Sequence, residues 1–82
     1  MSADEIFDGI QAVVREHLRL DVPITRHTDI QGDLRLDSIQ RLTLVVELEN
    51  RFLVCFDAED ELGLETFADV VRLIQRRRAE AA

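Results

Sequence analysis

Apolar residues recur at helical spacing in three stretches of this chain, and polar residues fill the positions between them. The first stretch follows Ser2, which makes a capping-box pattern with Glu5, and its apolar positions are Ile6, Ile10, Val13, Val14 and Leu18. This pattern predicts a first helix over about residues 3–20.

The second stretch begins at Asp37, a residue type favoured at a helix N-cap, and Gln40 completes another capping box three positions later. The apolar positions that follow are Ile39, Leu42, Val45, Val46, Leu48 and Phe52. They predict a second helix over about residues 38–52.

Two further helices are predicted in the last third of the chain. An acidic run at residues 57–65 predicts a short helix over about 58–62 that ends at Gly63. Apolar spacing then predicts a last helix over about 67–78, which runs out into three consecutive arginines, Arg76, Arg77 and Arg78. We expect these arginines to be a solvated helix end that matches the helix dipole.

The stretch between the first two helices, DVPITRHTDIQGDLRLD, contains the only proline and has no helical periodicity. A loop of about 17 residues is long for a compact domain, which indicates a wrap across the bundle or a functional surface. No part of the chain alternates like a strand or repeats. The predicted fold is therefore all-α, a single domain over 1–82 formed by a bundle of three longer helices and one short one.

Composition narrows the classes of function. The 82 residues carry 17 acidic and 10 basic side chains, a net charge of -7, which argues against nucleic acid as a partner. All the basic residues are arginine, so Schiff-base chemistry is excluded. There is no signal-peptide pattern and no apolar run long enough to enter a membrane, so we expect a cytoplasmic monomer without membrane insertion.

The residues that could form other sites are few. Cys55 is the only cysteine and lies in an apolar run, so we expect it to be buried, as we expect of Leu62 nearby. Two isolated histidines, His17 and His27, do not make a metal site. We therefore predict no metal ligands and no catalytic residues.

Ser38 directly follows the Asp37 cap, where it could be an ordinary first-turn residue, a nucleophile or an attachment point. A phosphate on its hydroxyl would meet the partial positive charge of the helix start. A nucleophile would need a base from His17 or His27, and an adjacent Asp37 does not supply triad geometry.

The segment GDLRLDSIQRLTLVVELENRF, residues 32–52, resembles the acyl carrier proteins and the related peptidyl and aryl carrier domains, and the resemblance extends over the whole chain. It implies that Ser38 carries 4′-phosphopantetheine, attached by a phosphopantetheinyl transferase that recognises Asp37. The arm would hold a cargo as a thioester for acyl-, aminoacyl- or ketide-transferring enzymes.

Two departures from the family pattern point to the choice of partners. Arg35 replaces a usual glycine, which would strain the backbone if φ is positive there, and Gln40 replaces a usual acid. We predict a dedicated pathway, making a secondary metabolite or a specialised lipid. Partner contacts are predicted for Arg35, Ile39, Arg41 and Leu42, together with the acids that follow the second helix.

Three other interpretations stay open at this point. The first is an aminoacyl or aryl carrier that an adenylating enzyme loads. The second is a small helical interaction module without a prosthetic group. The last is a serine hydrolase, which the sequence favours least.

Overall fold

A computed structural model describes residues 1–81 and shows the predicted all-α fold. Its four helices are α1 at Ala3–His17, α2 at Ser38–Phe52, α3 at Ala58–Leu62 and α4 at Phe67–Ala81. Within these residues the only β pairing is one isolated bridge. None of the described helices is long and apolar enough to cross a membrane.

The first and last helices differ in length from the prediction. α1 ends at His17 instead of near residue 20, because Arg19 has a left-handed φ of 54° that turns the chain. Leu18 still reaches the core from this turn, which explains why its apolar spacing extended the prediction. α4 continues beyond residue 78 to Ala81.

Three of the helices begin with a complete capping box. The N-cap side chain accepts from the third helical N–H, and the side chain at that third position accepts from the N-cap N–H, in the pairs Ser2–Glu5, Asp37–Gln40 and Asp57–Asp60. Each N-cap contributes about 1 kcal/mol to the stability of its helix. The start of α2 is therefore fixed locally, by its own side chains.

The core is aliphatic apart from two phenylalanines, and α1 lies at its centre, against α2 and α4. α1 and α2 approach closely at Gly9, where an added Cβ would lie 2.7 Å from Phe52 Cζ. The most deeply buried side chains are Phe67, Ile6, Ile10, Leu48, Ile74, Val13, Val14 and Val70. The buried residues of α2 are Leu44, Leu48 and Phe52, so this packing holds the part of α2 from residue 44 onward.

The long connection between α1 and α2 is anchored to the start of α4. The Ile30 N–H donates to the Glu65 carbonyl at 2.9 Å, and the Ala68 N–H donates to the Arg26 carbonyl at 2.9 Å. Ile30 is itself buried. The connection therefore crosses the bundle and delivers the chain to α2 from a fixed position.

The prediction that Cys55 and Leu62 are buried is wrong. Leu53 ends α2 with a left-handed φ of 56°, and burial alternates between one residue and the next from there to Cys55. Val54 is buried, whereas Leu53 and Cys55 point outward. Leu62, on the short α3, is 84% exposed.

The expectation of a solvated arginine run at the end of α4 is correct for Arg76, which is exposed, and wrong for Arg77 and Arg78. Arg77 pairs with Asp60 and Asp57 of the α3 region, at 3.5 Å for Asp57. Arg78 Nη1 donates to the Phe52 carbonyl at 3.0 Å. These side chains tie the short α3 and the end of α2 to α4.

Candidate functional site

Ser38 is the first residue of α2, and its hydroxyl is exposed. Its neighbour Asp37 is occupied by capping, because its Oδ1 accepts the Gln40 N–H at 2.7 Å. Gln40 returns the contact, since its Oε1 accepts the Asp37 N–H at 3.1 Å. Within residues 1–81 no hydrogen bond involves Ser38 Oγ. The hydroxyl therefore takes no part in capping α2.

The helix start favours a negative charge on Ser38. The Asp37 carboxylate and carbonyl are taken by the N–H groups of Gln40 and Arg41. The N–H groups of Ser38 and Ile39 have no acceptor in the described part of the chain, as is usual in a first helical turn. The first turn of α2 carries no acidic side chain. A phosphate attached here would meet the positive end of the helix dipole.

Arg35 has a left-handed backbone, the conformation in which the sequence analysis expected an arginine to be strained. Its φ is 51°, a region that glycine adopts freely and that costs other residues about 1–2 kcal/mol. The partly buried side chains of Leu34 and Leu36 pack against the core on either side of it. The loop thus keeps the shape that a glycine would allow, with an arginine in that place.

An apolar stripe runs along the outer face of α2. Ile39 is 76% exposed, Leu42 is 62% exposed and Val46 is 40% exposed, at the spacing of one helix face. Sequence reasoning named the first two and missed Val46, although its spacing from Leu42 gives the signal. Arg41 is exposed beside them.

A pocket of about 270 Å³ opens beside Ser38. Ser38 and Arg41 lie on its rim, and Glu61 lines it as well. Its apolar walls come from the loop, from α2, from the chain on both sides of α3 and from α4, and include Ile30, Leu44, Leu48, Phe56, Leu64 and Val70. Phe56 and Leu64 are only partly buried, and both pack against the core as well as lining the pocket.

Some charged side chains on and beside α2 have partners within the protein, and others do not. Glu47 lies 3.3 Å from His17 Nε2, and Glu49 accepts the Phe56 N–H at 2.8 Å. Neither Arg35 nor Arg41 forms an ion pair with another described residue. Arg35 and Arg41 are therefore cations near Ser38 without a partner among the described residues, whereas Asp37, the exposed carboxylate beside Ser38, accepts the Gln40 N–H.

Some of the acidic side chains that follow α2 form hydrogen bonds and ion pairs within the protein. A hydrogen bond from Arg77, together with the Asp57 N–H, holds the pKa of Asp60 below its usual range. A hydrogen bond from the Thr66 N–H lowers the pKa of Asp69, which also pairs with Arg72. These acids contribute less free negative surface than the sequence indicates.

Neither histidine is placed to activate Ser38. His17 contacts Glu47, and the His27 N–H donates to Thr25 Oγ1 at 3.2 Å. No hydrogen bond in the described part of the chain links either histidine to Ser38. Among residues 1–81 there is also no group of three or more His, Cys, Asp or Glu side chains arranged to hold a metal ion. The geometry gives no support to the hydrolase interpretation.

Comparison with known proteins gives the family. Residues 8–74 match the family model described as "Phosphopantetheine attachment site". An acyl carrier protein from Exiguobacterium is 33% identical over 78 residues, which cover 94% of this chain and 99% of that protein. The meromycolate extension acyl carrier protein of Mycobacterium leprae is 31% identical over 81 residues, which cover 98% of this chain and 70% of that protein.

A solved structure supports the same assignment. It comes from Mycobacterium tuberculosis, is described as an acyl carrier protein and superposes with a TM-score of 0.79 at 28% identity, over 87% of this chain and 96% of that one. The chain therefore belongs to the acyl carrier protein family. Members of this family carry phosphopantetheine, are carriers and not enzymes, and interact with phosphopantetheinyl transferases and acyl-transferring enzymes.

Proposed function

We propose that Ser38 is the attachment site of the 4′-phosphopantetheine arm. The observation that supports this most directly is an exposed hydroxyl, free of hydrogen bonds in the described chain, at the start of a helix that favours a phosphate. Attachment forms a bond between Ser38 Oγ and the phosphorus of the phosphopantetheine group of coenzyme A. The pyrophosphate bond of coenzyme A breaks, adenosine 3′,5′-bisphosphate leaves, and the hydroxyl proton is released. When bound, the group supplies a thiol that holds the cargo as a thioester.

Asp37 has two proposed roles at this site. Its carboxylate caps α2 and so fixes the backbone on which Ser38 stands. We assign it a second role in recognition by the phosphopantetheinyl transferase, because its exposed side chain directly precedes the modified residue.

The cargo is proposed to be an apolar acyl group. The pocket beside Ser38 has a volume of about 270 Å³ and mainly apolar walls. An apolar cavity of roughly 150 Å³ holds a benzene molecule, so this pocket has room for more than about six carbon atoms. A charged aminoacyl group would lose hydration against these apolar walls, with Glu61 the one acidic residue in the described lining of the pocket that could pair with the ammonium. This favours the acyl carrier over the aminoacyl carrier, whereas an aryl group is apolar and would fit the pocket as well.

The pathway is proposed to be a dedicated one, for a specialised lipid or a secondary metabolite. Arg35 and Arg41 are exposed near Ser38 and form no ion pair in the described part of the chain, which suits partner enzymes that present carboxylates to them. The similarity to the Mycobacterium leprae meromycolate extension carrier agrees with a specialised lipid.

The partner surface is proposed to combine the apolar stripe of α2 with these arginines. Ile39 and Leu42 would enter an apolar hollow on the partner enzyme, while Arg35 and Arg41 would face carboxylates at its rim. We propose that the protein works as a monomer in the cytoplasm, with this surface left free for successive enzymes.

The attachment site can be tested by intact mass. The apo protein is incubated with a broad-specificity phosphopantetheinyl transferase, coenzyme A and Mg²⁺, and we expect a gain of one phosphopantetheine. Ser38→Ala should gain none. The chain has only two serines, and Ser2 also stands at a capping box, so Ser2→Ala is the matched control and should be modified like the wild type. An unmodified wild type with several transferases would refute the assignment.

The pathway is tested with the loaded protein. We expect the wild type to be a poor substrate for the elongating enzymes of housekeeping fatty-acid synthesis. Arg41→Glu, which restores a negative charge near Ser38, should be a better one. Elongation of the wild type at the rate of a housekeeping carrier would contradict a dedicated pathway.

The cargo is tested separately. The holo protein is offered to adenylating enzymes specific for fatty acids and for amino acids, and loading is recorded by mass. Loading with amino acids alone would favour the aminoacyl carrier instead.

A further inference from the structure

Arg41 and Ser38 share one face of α2. They lie three residues apart, a spacing that makes side chains neighbours on a helix surface, and both line the rim of the same pocket. The Arg41 side chain is exposed. It makes no hydrogen bond or ion pair with any residue that the structure describes. Its guanidinium is therefore free to pair with an anion attached to Ser38, one helical turn away along the same pocket.

The acids nearest to Arg41 in sequence are held elsewhere. The Asp37 carboxylate accepts the Gln40 N–H, Glu47 contacts His17, and Glu49 accepts the Phe56 N–H. Glu61 lines the same pocket, and no ion pair joins it to Arg41. An anion arriving on Ser38 would thus be a ready counterion for Arg41.

A phosphodiester is well matched to this environment. It carries a negative charge and presents two free oxygens, which the planar guanidinium can bind in pairs. It would also offset the unpaired positive charge of the α2 N-terminus. Asp37 opposes a phosphate by like-charge repulsion, and a nearby cation would offset this repulsion.

We propose that Arg41 binds the phosphate that joins the arm to Ser38 and so holds the beginning of the arm at the rim of the pocket. This rests on the proposed attachment at Ser38. Arg41 then has a role within the holo protein itself, in addition to any contact with a partner enzyme.

The test is a thermodynamic cycle on the intact chain. The Tm is measured for the apo and holo forms of the wild type and of Arg41→Gln, with modification verified by mass. We expect the change in Tm on attachment to be about 2 to 4 °C less favourable in Arg41→Gln, the range typical of one exposed ion pair in a domain of this size. The difference should disappear in about 1 M NaCl, where charges are screened within a few ångströms.

Phosphorus NMR of the holo proteins supplies a second readout. We expect the phosphodiester resonance to shift in Arg41→Gln and to shift less in Arg41→Lys, which keeps the charge but not the paired donors. Arg15→Gln is the control, because Arg15 is an exposed arginine that lines a different pocket. It should match the wild type in both measurements.

Two results would overturn the proposal, and they can be told apart. If the holo forms are made but wild type and Arg41→Gln respond identically in Tm and in phosphorus NMR, Arg41 does not bind the phosphate and the attachment site still stands. If no protein gains mass, the attachment at Ser38 fails and the role of Arg41 fails with it.

Discussion

The two ends of α2 are built in opposite ways. At its C-terminal end Phe52 is buried against Gly9, its carbonyl accepts from Arg78, and Glu49 accepts the Phe56 N–H. At its N-terminal end, Ser38 and Ile39 are exposed and the helix is held by its own capping box. The C-terminal end of α2, called the locked end below, is therefore fixed by contacts with the rest of the protein. The N-terminal end, called the open end, is exposed to solvent and fixed only by its own cap.

Both ends also contain a residue in the left-handed region, yet in different settings. Leu53 has a φ of 56° just after the locked end, and Arg35 has a φ of 51° just before the open one. The locked end anchors α2 in the core. The open end can then be visited by enzymes without disturbing the fold, and four predictions test this division.

The largest effect is expected at the locked end. Phe52→Ala removes a ring that is 2% exposed and should destabilise the protein by about 3–5 kcal/mol, because a large buried side chain leaves a cavity. Chemical denaturation measures the loss. Leu53→Ala, which truncates the neighbouring 83% exposed side chain, is the control and should change stability by about 0.5 kcal/mol or less. A loss below about 1 kcal/mol in Phe52→Ala would show that this end is not locked.

A smaller effect is expected at the cap of the open end. Asp37→Ala should cost about 1 kcal/mol, whereas Asp37→Asn should keep most of the stability because asparagine also caps well. The rate at which the transferase modifies Ser38 in each variant then separates the effect of the Asp37 charge from the effect of capping. If the transferase recognises its charge, Asp37→Asn is modified slowly while remaining folded. Equal rates for Asp37→Asn and the wild type would remove Asp37 from recognition.

Glycine at the two left-handed positions should stabilise both ends slightly. Relief of the left-handed strain outweighs the extra entropy of glycine in the unfolded chain, so Arg35→Gly and Leu53→Gly should each gain about 0.5–1 kcal/mol. Only Arg35→Gly should also change the rate of modification at Ser38. A loss of stability in Arg35→Gly would mean that the arginine side chain contributes more than its backbone costs.

The smallest effect concerns the link between α3 and α4, and it depends on pH. The pKa of Asp60 is lowered by its hydrogen bond from Arg77, so this contact stabilises the fold above the ordinary value of 3.8 and is lost as the pH falls through the folded value. Arg77→Gln should therefore be less stable than the wild type near neutral pH, and the difference in unfolding free energy should narrow progressively as the pH falls below 3.8. Urea unfolding over a series of pH values measures this difference, and a difference that does not change with pH below 3.8 would contradict this assignment.

The fold could be predicted because its signals are local. Capping boxes and apolar spacing are written within a few residues, which is why α2 and α3 have the bounds expected from them. The end of α1 was misplaced because the left-handed backbone of Arg19 carries no sequence signal when the residue is not glycine. The same local pattern singled out Ser38 as a candidate.

The parts that escaped prediction depend on tertiary contacts. The pairing of Arg77 with Asp60 joins residues 17 positions apart, and no periodicity indicates it. The pocket is assembled from segments as distant as Ile30 and Val70. Cys55 was misjudged because an apolar neighbourhood does not reveal which side of an extended chain faces outward.

The bridge between the loop and α4 has a consequence for how the protein matures. The Ile30 N–H and the Glu65 carbonyl that it contacts are far apart in sequence, so the loop gains its anchor only after the last third of the chain has been synthesised and packed. Ser38 is thus translated early, but the loop that leads to it is anchored only after the last third of the chain has been made. We expect a nascent chain that ends before α4 to be a poor substrate for the transferase, and hydrogen exchange at the Ile30 amide to report when the site is complete.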